Sequence, residues 1–356
     1  MGERLGIGIV GCGVIGRVHA LQLQRLGTAR VAAFADCVGE RAEAFAAEFG
    51  GKAYASYEEM LLDSEVEAVS VCTPSGMHGE MAVAAARAGK PVIVEKPMDV
   101  KLDVADRMIA ACREQGVILG GIFQHRFDYA TRRVKEKLAQ GSFGRLVLVN
   151  GSVHWYRSDQ YYASGDWRGT WAMDGGGVLM NQAIHTMDLV RYFGGPVVDV
   201  TARTANLTHP QIETEDTVAA MLRYECGAMG TFTATSSAYP GLDTRVEIIG
   251  ENGTCIIENN KIVYEHYRDG EVAGTHGLDP KFSNQWKPEM ETESAGMSHR
   301  VYGNAHYDQL ADFVEAVRTG REPLVTGRDS RDALELVLAV YRSQETGAAV
   351  LLPLDS

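Results

Sequence analysis

Mid-chain, the run DGGGVLMNQAIHTMDLVRYFGG (174–195) carries an amide, an imidazole and a carboxylate, on Asn181, His185 and Asp188. Spacings of four and three put these groups on one face of a helix. An imidazole exchanges protons near neutral pH. An amide orients a polar ligand by donating and accepting hydrogen bonds. Upstream, CTPSGMH holds Thr73, Pro74 and His78, and VIVEKP holds Glu95 and Lys96, each set at the end of an apolar run. The N-terminal IVGCGVIGRVHA contains Gly11-x-Gly13-x-x-Gly16. In that spacing the first glycine permits a tight turn, the second lets the backbone approach a pyrophosphate, and the third allows close helix–strand contact. Val14 and Ile15 then open a helix whose N–H groups and dipole hold phosphate.

These groups need elements to position them. LGIGIVG (5–11), ARVAAFAD (29–36), VEAVSVCTP (66–74), KPVIVEKP (90–97) and VILGGIF (117–123) read as buried strands, with amphipathic segments between them. Such alternation predicts a parallel sheet covered on both faces. Ligands of such sheets bind outside the carboxyl ends of the strands, where Thr73, Pro74, His78, Glu95 and Lys96 fall. Asp36 ends the second strand, about twenty residues past the last glycine, where a carboxylate accepts the adenosine ribose hydroxyls. It would repel a 2′-phosphate, and Cys37, Val38 and Gly39 follow it rather than an arginine. The expected cofactor is therefore NAD(H) rather than NADP(H).

After about residue 145 the texture changes to long strands with β-branched alternation, GRLVLVNGSVHWY, VVDVTARTAN, DTVAAMLRYECGAMGTFTATSSA and DTRVEIIGENGTCIIENNKIVYE. Turns at Glu225-Cys226-Gly227 and Glu251-Asn252-Gly253 predict a mostly antiparallel, hairpin-connected sheet. Arg268 to Arg300 reads as a long polar loop, followed by two helices and a short strand. The expected fold class is α/β: a doubly wound dinucleotide-binding domain over residues 1–125, then a substrate-binding α/β domain with a large open sheet over 126–356. A length of 356 residues suits two domains. The net charge of −13, with no basic stripe, argues against a nucleic-acid partner. No apolar run is long enough for a membrane helix, and no signal-like segment opens the chain. The six scattered cysteines form neither a CxxC pair nor a zinc-like cluster. A cytoplasmic protein without a metal is expected.

Taken in order, the glycine-rich N-terminus, CTPSGMH, VEKP and GGGVLMNQAIHTMD resemble the Gfo/Idh/MocA oxidoreductases over nearly the whole chain. The resemblance implies NAD(P)-dependent oxidation or reduction at a carbon of a sugar, cyclitol or related polyol. It puts the lysine of the E-K-P motif at Lys96 and the late histidine at His185. The chain departs from the family in three places: Asn181 replaces a frequent acid, Ala183 a glycine, and Ser75 the asparagine of T-P-N. A neutral His185 would take the hydroxyl proton, Lys96 would stabilise the alkoxide, and Asn181 would orient the substrate. The Gly175–Gly177 turn would bring the helix start close to the nicotinamide, and Asp188 would orient His185. QHRF (124–127) offers Arg126 either as a contact to a substrate oxygen or phosphate or as a structural tie between the domains. HWYRSDQYYASGDWRGTW (154–171) offers an aromatic sugar platform, with Tyr161 and Arg168 lining it. His306 approximates the family's late Gly-His element.

The expected reaction resembles that of a glucoside 3-dehydrogenase. The alternatives are a nucleotide-linked N-acetyl-sugar dehydrogenase, a non-catalytic sugar or dinucleotide sensor, and an NAD-dependent glycosidase. Association into dimers or tetramers through the open sheet is expected of the family.

Overall fold

The computed structural model describes residues 4–268 and 304–354. The loop expected from Arg268 to Arg300 therefore falls almost wholly outside the described residues. Six parallel strands form the first sheet: β1 (Leu5–Val10), β2 (Ala29–Ala35), β3 (Lys52–Tyr54), β4 (Ala68–Val71), β5 (Val92–Val94) and β6 (Leu119–Gly121). Their order is β3-β2-β1-β4-β5-β6, the doubly wound arrangement with its crevice at the carboxyl ends of β1 and β4. All six residues of β1 are buried, because helices cover both faces. The edge strand β3 carries no apolar run and was not legible in the sequence.

The second sheet has eight strands: β7 (Leu146–His154), β8 (Val197–Ala205), β9 (Thr217–Tyr224), β10 (Met229–Thr235), β11 (Arg245–Gly250), β12 (Gly253–Glu258), β13 (Lys261–Tyr267) and β14 (Val350–Leu351). Their order is β13-β12-β11-β7-β10-β9-β8-β14. Both expected turns join hairpins. A third turn places Asn259 and Asn260 at positive φ between β12 and β13, as a two-residue hairpin loop requires. One pair breaks the hairpin pattern: β7 and β10 run parallel, since the long excursion from 155 to 228 returns the chain beside β7 in the same direction. The helices Ile184–Gly194 and Gly327–Thr346 cover one face, burying Leu189, Val190, Leu336, Val337 and Val340 against Val149, Val200 and Leu222. The strict alternation of β9 leaves Met221 exposed on the other face, with Met229 of β10 beside it.

The helix Asn304–Thr319 lies with the first sheet, not the second. Its Leu310, Phe313 and Val314 pack into a core containing Ile7, Ile9, Leu23 and Ile93. The helix Gly327–Thr346 begins in a capping box: Thr326 Oγ1 accepts from the Asp329 N–H, and the Asp329 carboxylate accepts from the Thr326 N–H. All six cysteines are unpaired. No helix among the described residues is long and apolar enough to cross a membrane.

Candidate active site

A cleft of about 1290 Å³ runs from the carboxyl end of the first sheet across to the second. At one end lies the glycine turn. Gly11 sits at φ +96°, and a Cβ there would meet the Cys72 carbonyl at 2.5 Å. A Cβ on Gly16 would lie 2.2 Å from the Gly11 carbonyl, so the third glycine does permit close contact between helix and strand. Gly13 faces open space, room that a pyrophosphate needs. The helix Val14–Arg25 starts there; Ile15 lines the cleft, while the Val14 side chain is exposed to solvent. Asp36 accepts from the N–H groups of Cys12 and Val38, both at 2.9 Å, which aims its carboxylate over the end of β2. Arg41, a turn further on, comes within 4.0 Å of it. This cradle fits an adenine dinucleotide without a 2′-phosphate. Thr73, Pro74 and His78 line the same wall. Buried His78 bridges the carbonyls of Thr73 and Pro97, at 2.8 and 2.7 Å, and so ties together the loops that follow β4 and β5.

Lys96 and His185 meet in the middle of the cleft. Lys96 Nζ donates to the Asn181 carbonyl at 2.9 Å. Burial lowers the pKa of this ammonium, and the nearby Arg168 and Arg157 lower it further, against Glu95 and Asp174. His185 has a pKa well below the ordinary imidazole range, chiefly through burial and then through His125, Lys96 and His306. It is therefore neutral at physiological pH, with a lone pair to offer. Its Nδ1 is closed off from solvent and has no hydrogen-bond partner.

Behind Lys96, buried Glu95 takes the Lys96 N–H on Oε2 at 3.0 Å and His19 Nε2 on Oε1 at 3.0 Å. His306 Nε2 stands 3.9 Å from the same carboxylate. Despite burial, hydrogen bonding and the charge of His19 hold Glu95 down to about 2, and its contacts to Cys72 and Glu95 raise His19 to about 10. The two form an ion pair beneath Lys96. Burial pushes His306 down to about 4, leaving it neutral. Glu95 and His306 thus reach the cleft from its rear wall.

The helix carrying Asn181, His185 and Asp188 is not uniform. Residues Leu179–Ala183 form a π-helical turn before the α-helix resumes at Ile184. Such turns recur at functional sites. The turn shifts Asn181 relative to His185, while His185 and Asp188 keep their three-residue spacing on the α-helix. Asp188 does not orient His185; it pairs with Arg126.

Arg126 is also corrected. Its guanidinium is 1% exposed and bridges both Asp188 oxygens and Asp329, over the ring of Tyr192. It ties the first sheet's exit to the helices of the second and does not line the cleft.

The glycine run has a different purpose from the one expected. A Cβ on Gly176 would strike the Tyr341 hydroxyl at 2.1 Å, and one on Gly177 the Glu215 carbonyl at 1.7 Å. The Glu215 carboxylate accepts from the N–H groups of Gly177 and Leu179, capping the helix start. The glycines admit these protein neighbours.

Asn181 lines the cleft with its amide donating to Asp174 at 2.6 Å. A carboxylate therefore lies beside the position where the family's acid is missing. Burial raises the pKa of Asp174. Its place at the head of the glycine run gave no sign of this role.

The aromatic segment divides. Trp155, Tyr161 and Trp167 line the cleft. Tyr162 is buried against His209, Trp171 packs on Tyr341, and Tyr156 pairs with Tyr239 at the surface. Arg157 and Arg168 both stack on the Tyr161 ring, at 4.9 and 4.4 Å, and both line the cleft. Tyr161 Oη accepts from Arg168 Nη1 at 2.8 Å and from Gln182 Nε2 at 3.0 Å, so its own proton is available to a ligand. Gln182 and His125 carry no mark in the sequence, whereas Arg157 stands in the aromatic segment with Arg168. They come together from three separate segments, the short helix Gln124–Phe127, the stretch after β7 and the turn Leu179–Ala183.

A dinucleotide cradle facing an imidazole and an ammonium across one cleft defines a nicotinamide-dependent oxidoreductase. The match to known families agrees: the oxidoreductase family with an NAD-binding Rossmann fold matches residues 5–123, and the GFO/IDH/MocA C-terminal domain matches residues 131–256. The chain belongs to this family of NAD-dependent sugar and cyclitol dehydrogenases. It is similar to the WlbA dehydrogenase of Bordetella pertussis, whose crystal structure is a complex with NADH and UDP-GlcNAcA. That similarity is 35% identity over 99% of each chain, with a TM-score of 0.88. It is 29% identical to myo-inositol 2-dehydrogenase of Thermotoga maritima, over 97% of this chain and 98% of that one. It is 28% identical to scyllo-inositol 2-dehydrogenase (NAD(+)) of Bacillus subtilis, over 99% and 97%.

Proposed function

We propose that this dehydrogenase acts on a ring hydroxyl of a negatively charged sugar, of the nucleotide-linked kind, with Lys96 and His185 as the acid–base pair. The observation that carries the substrate class is the pair of arginines on Tyr161. Arg157 and Arg168 enter the same lobe as Lys96, and Arg157 Nε is buried without an acceptor. A buried cationic donor without a partner is costly, and a carboxylate or diphosphate would satisfy it. The relative solved with UDP-GlcNAcA supports the same class. Aromatic faces at Trp155, Tyr161 and Trp167 would also accept a neutral glucoside ring, so that is the second reading.

Bound NAD supplies the electron-pair acceptor in oxidation. Neutral His185 takes the hydroxyl proton. The Lys96 ammonium, steered by the Asn181 carbonyl, donates to the oxygen as charge grows on it. Asn181, fixed by Asp174, and Tyr161, fixed by Arg168 and Gln182, hold neighbouring ring oxygens. We further infer that two or four copies associate through the uncovered sheet face carrying Met221 and Met229.

The test is NADH absorbance with nucleotide-sugars, uronates, glycosides and cyclitols, run beside Lys96→Ala, His185→Ala and Arg168→Gln. Turnover of a charged sugar is expected, abolished in the first two variants. Arg168→Gln removes a charge-assisted bond of about 1.5–3 kcal/mol, raising KM for that sugar roughly 10- to 100-fold. Equal KM in Arg168→Gln and parent, or a preference for neutral glucosides, would refute the charged-substrate reading. Release of free aglycone would point to a glycosidase, and silence with tight NAD binding to a sensor.

A further inference from the structure

Each oxidation leaves one proton on His185, and the ring has poor means of shedding it. Its Nδ1 is sealed inside the protein. Its remaining edge faces the cleft, which cofactor and sugar fill during turnover. The titratable groups around it are His125, Lys96 and His306. Lys96 is buried and engaged with the Asn181 carbonyl, and His306 is buried against Glu95. His125 differs from both. Its ring stands edge-on to His185, with centroids 5.2 Å apart. Its Nδ1 lies 2.7 Å from the Asp128 carboxylate, and both side chains, on the cleft wall, are partly exposed, at 28% and 21%. His185 is therefore flanked by a carboxylate-held imidazole that is itself partly exposed.

We propose that His125, held by Asp128, carries the proton from His185 to solvent and so resets the base after each turnover. The substrate O–H bond breaks as an N–H bond forms on His185. That N–H then breaks as one forms on His125, beside the Asp128 carboxylate, and the proton passes to water at the exposed edge. No hydrogen bond joins the two rings among the described residues, so a small turn of the His125 ring or one bridging water completes the path. His125 is a relay that acts through His185 and does not touch the reacting carbon.

This rests on the dehydrogenase reading above, and the experiment separates the two. NADH formation is followed by stopped flow for the parent, His125→Ala and Asp128→Asn, with the sugar that the panel identifies. NADH binding, read by fluorescence, checks that each variant is folded. His185 starts neutral, so His125→Ala should still form one NADH per site at close to the parent rate. Its later turnovers should slow about 100-fold. Added imidazole should restore the steady rate of His125→Ala, and Asp128→Asn should show a milder slowing. An unchanged steady rate, or a loss shared equally by first and later turnovers and untouched by imidazole, overturns the relay. A parent silent on every sugar overturns the functional reading, and the relay with it.

Discussion

Arg126 separates a ligand role from a structural one most cleanly. Its Nε and Nη2 donate to the two Asp188 oxygens at 2.8 and 2.6 Å, and its Nη1 to Asp329 at 2.9 Å. Arginine and Asp188 are each 1% exposed, whereas Asp329 is 28% exposed. Arg126→Met would leave Asp188 charged, buried and alone, while Asp329 could recover water. Breaking a buried pair from one side costs about 3–5 kcal/mol. Against a typical total of about 5–15 kcal/mol, that is a large share of the stability. Replacing both members, in Arg126→Met with Asp188→Leu, removes the stranded charge and should recover most of the loss. Urea unfolding followed by circular dichroism measures both variants. KM of whatever Arg126→Met remains folded should match the parent. A fully stable single variant with a raised KM would refute this account and return Arg126 to the substrate.

Gly177→Ala would press a methyl 1.7 Å from the Glu215 carbonyl, so the helix start must move; a loss above about 3 kcal/mol is expected, seen as a lower urea midpoint, since overpacking alone costs 1–3. The His19–Glu95 pair predicts stabilisation between the two pH extremes and its loss at each. His19 is raised from 6.5 to about 10, so its contribution is present below pH 6.5 and fades as pH rises to 10. Glu95 is lowered from 4.5 to about 2, so its contribution is present above pH 4.5 and fades as pH falls to 2. The Tm of His19→Gln should lack the alkaline decline of the parent; parallel curves would contradict the ion pair. Asp36→Ser removes the charge that repels a 2′-phosphate and frees Arg41, 4.0 Å away, to meet one. NADPH should then bind at least tenfold tighter by fluorescence titration while NADH weakens, and an unchanged preference would count against the role given to Asp36.

Local order was readable from the sequence wherever one element made its own chemistry. The glycine turn, Asp36 and the apolar strands announce a dinucleotide domain because period, turn geometry and strand-end placement are local properties. The strand end carrying Lys96 and the helix carrying His185 were legible in the same way. Partner choice was not. Asp188 pairs with Arg126, 62 residues back along the chain, rather than with His185 one turn away on its own helix. Gly176 and Gly177 answer to Tyr341 and Glu215, which lie far along the chain. Trp155, Tyr161 and Trp167 share a segment and a composition with Tyr156, Tyr162 and Trp171; only packing decides which three face the cleft. Short-range sterics and hydrogen-bond periodicity act between neighbours in sequence, so the sequence by itself determined the elements and the cofactor end. Burial and charge pairing act between neighbours in space, so only the tertiary structure decided which side chains surround the substrate and which hold the protein together.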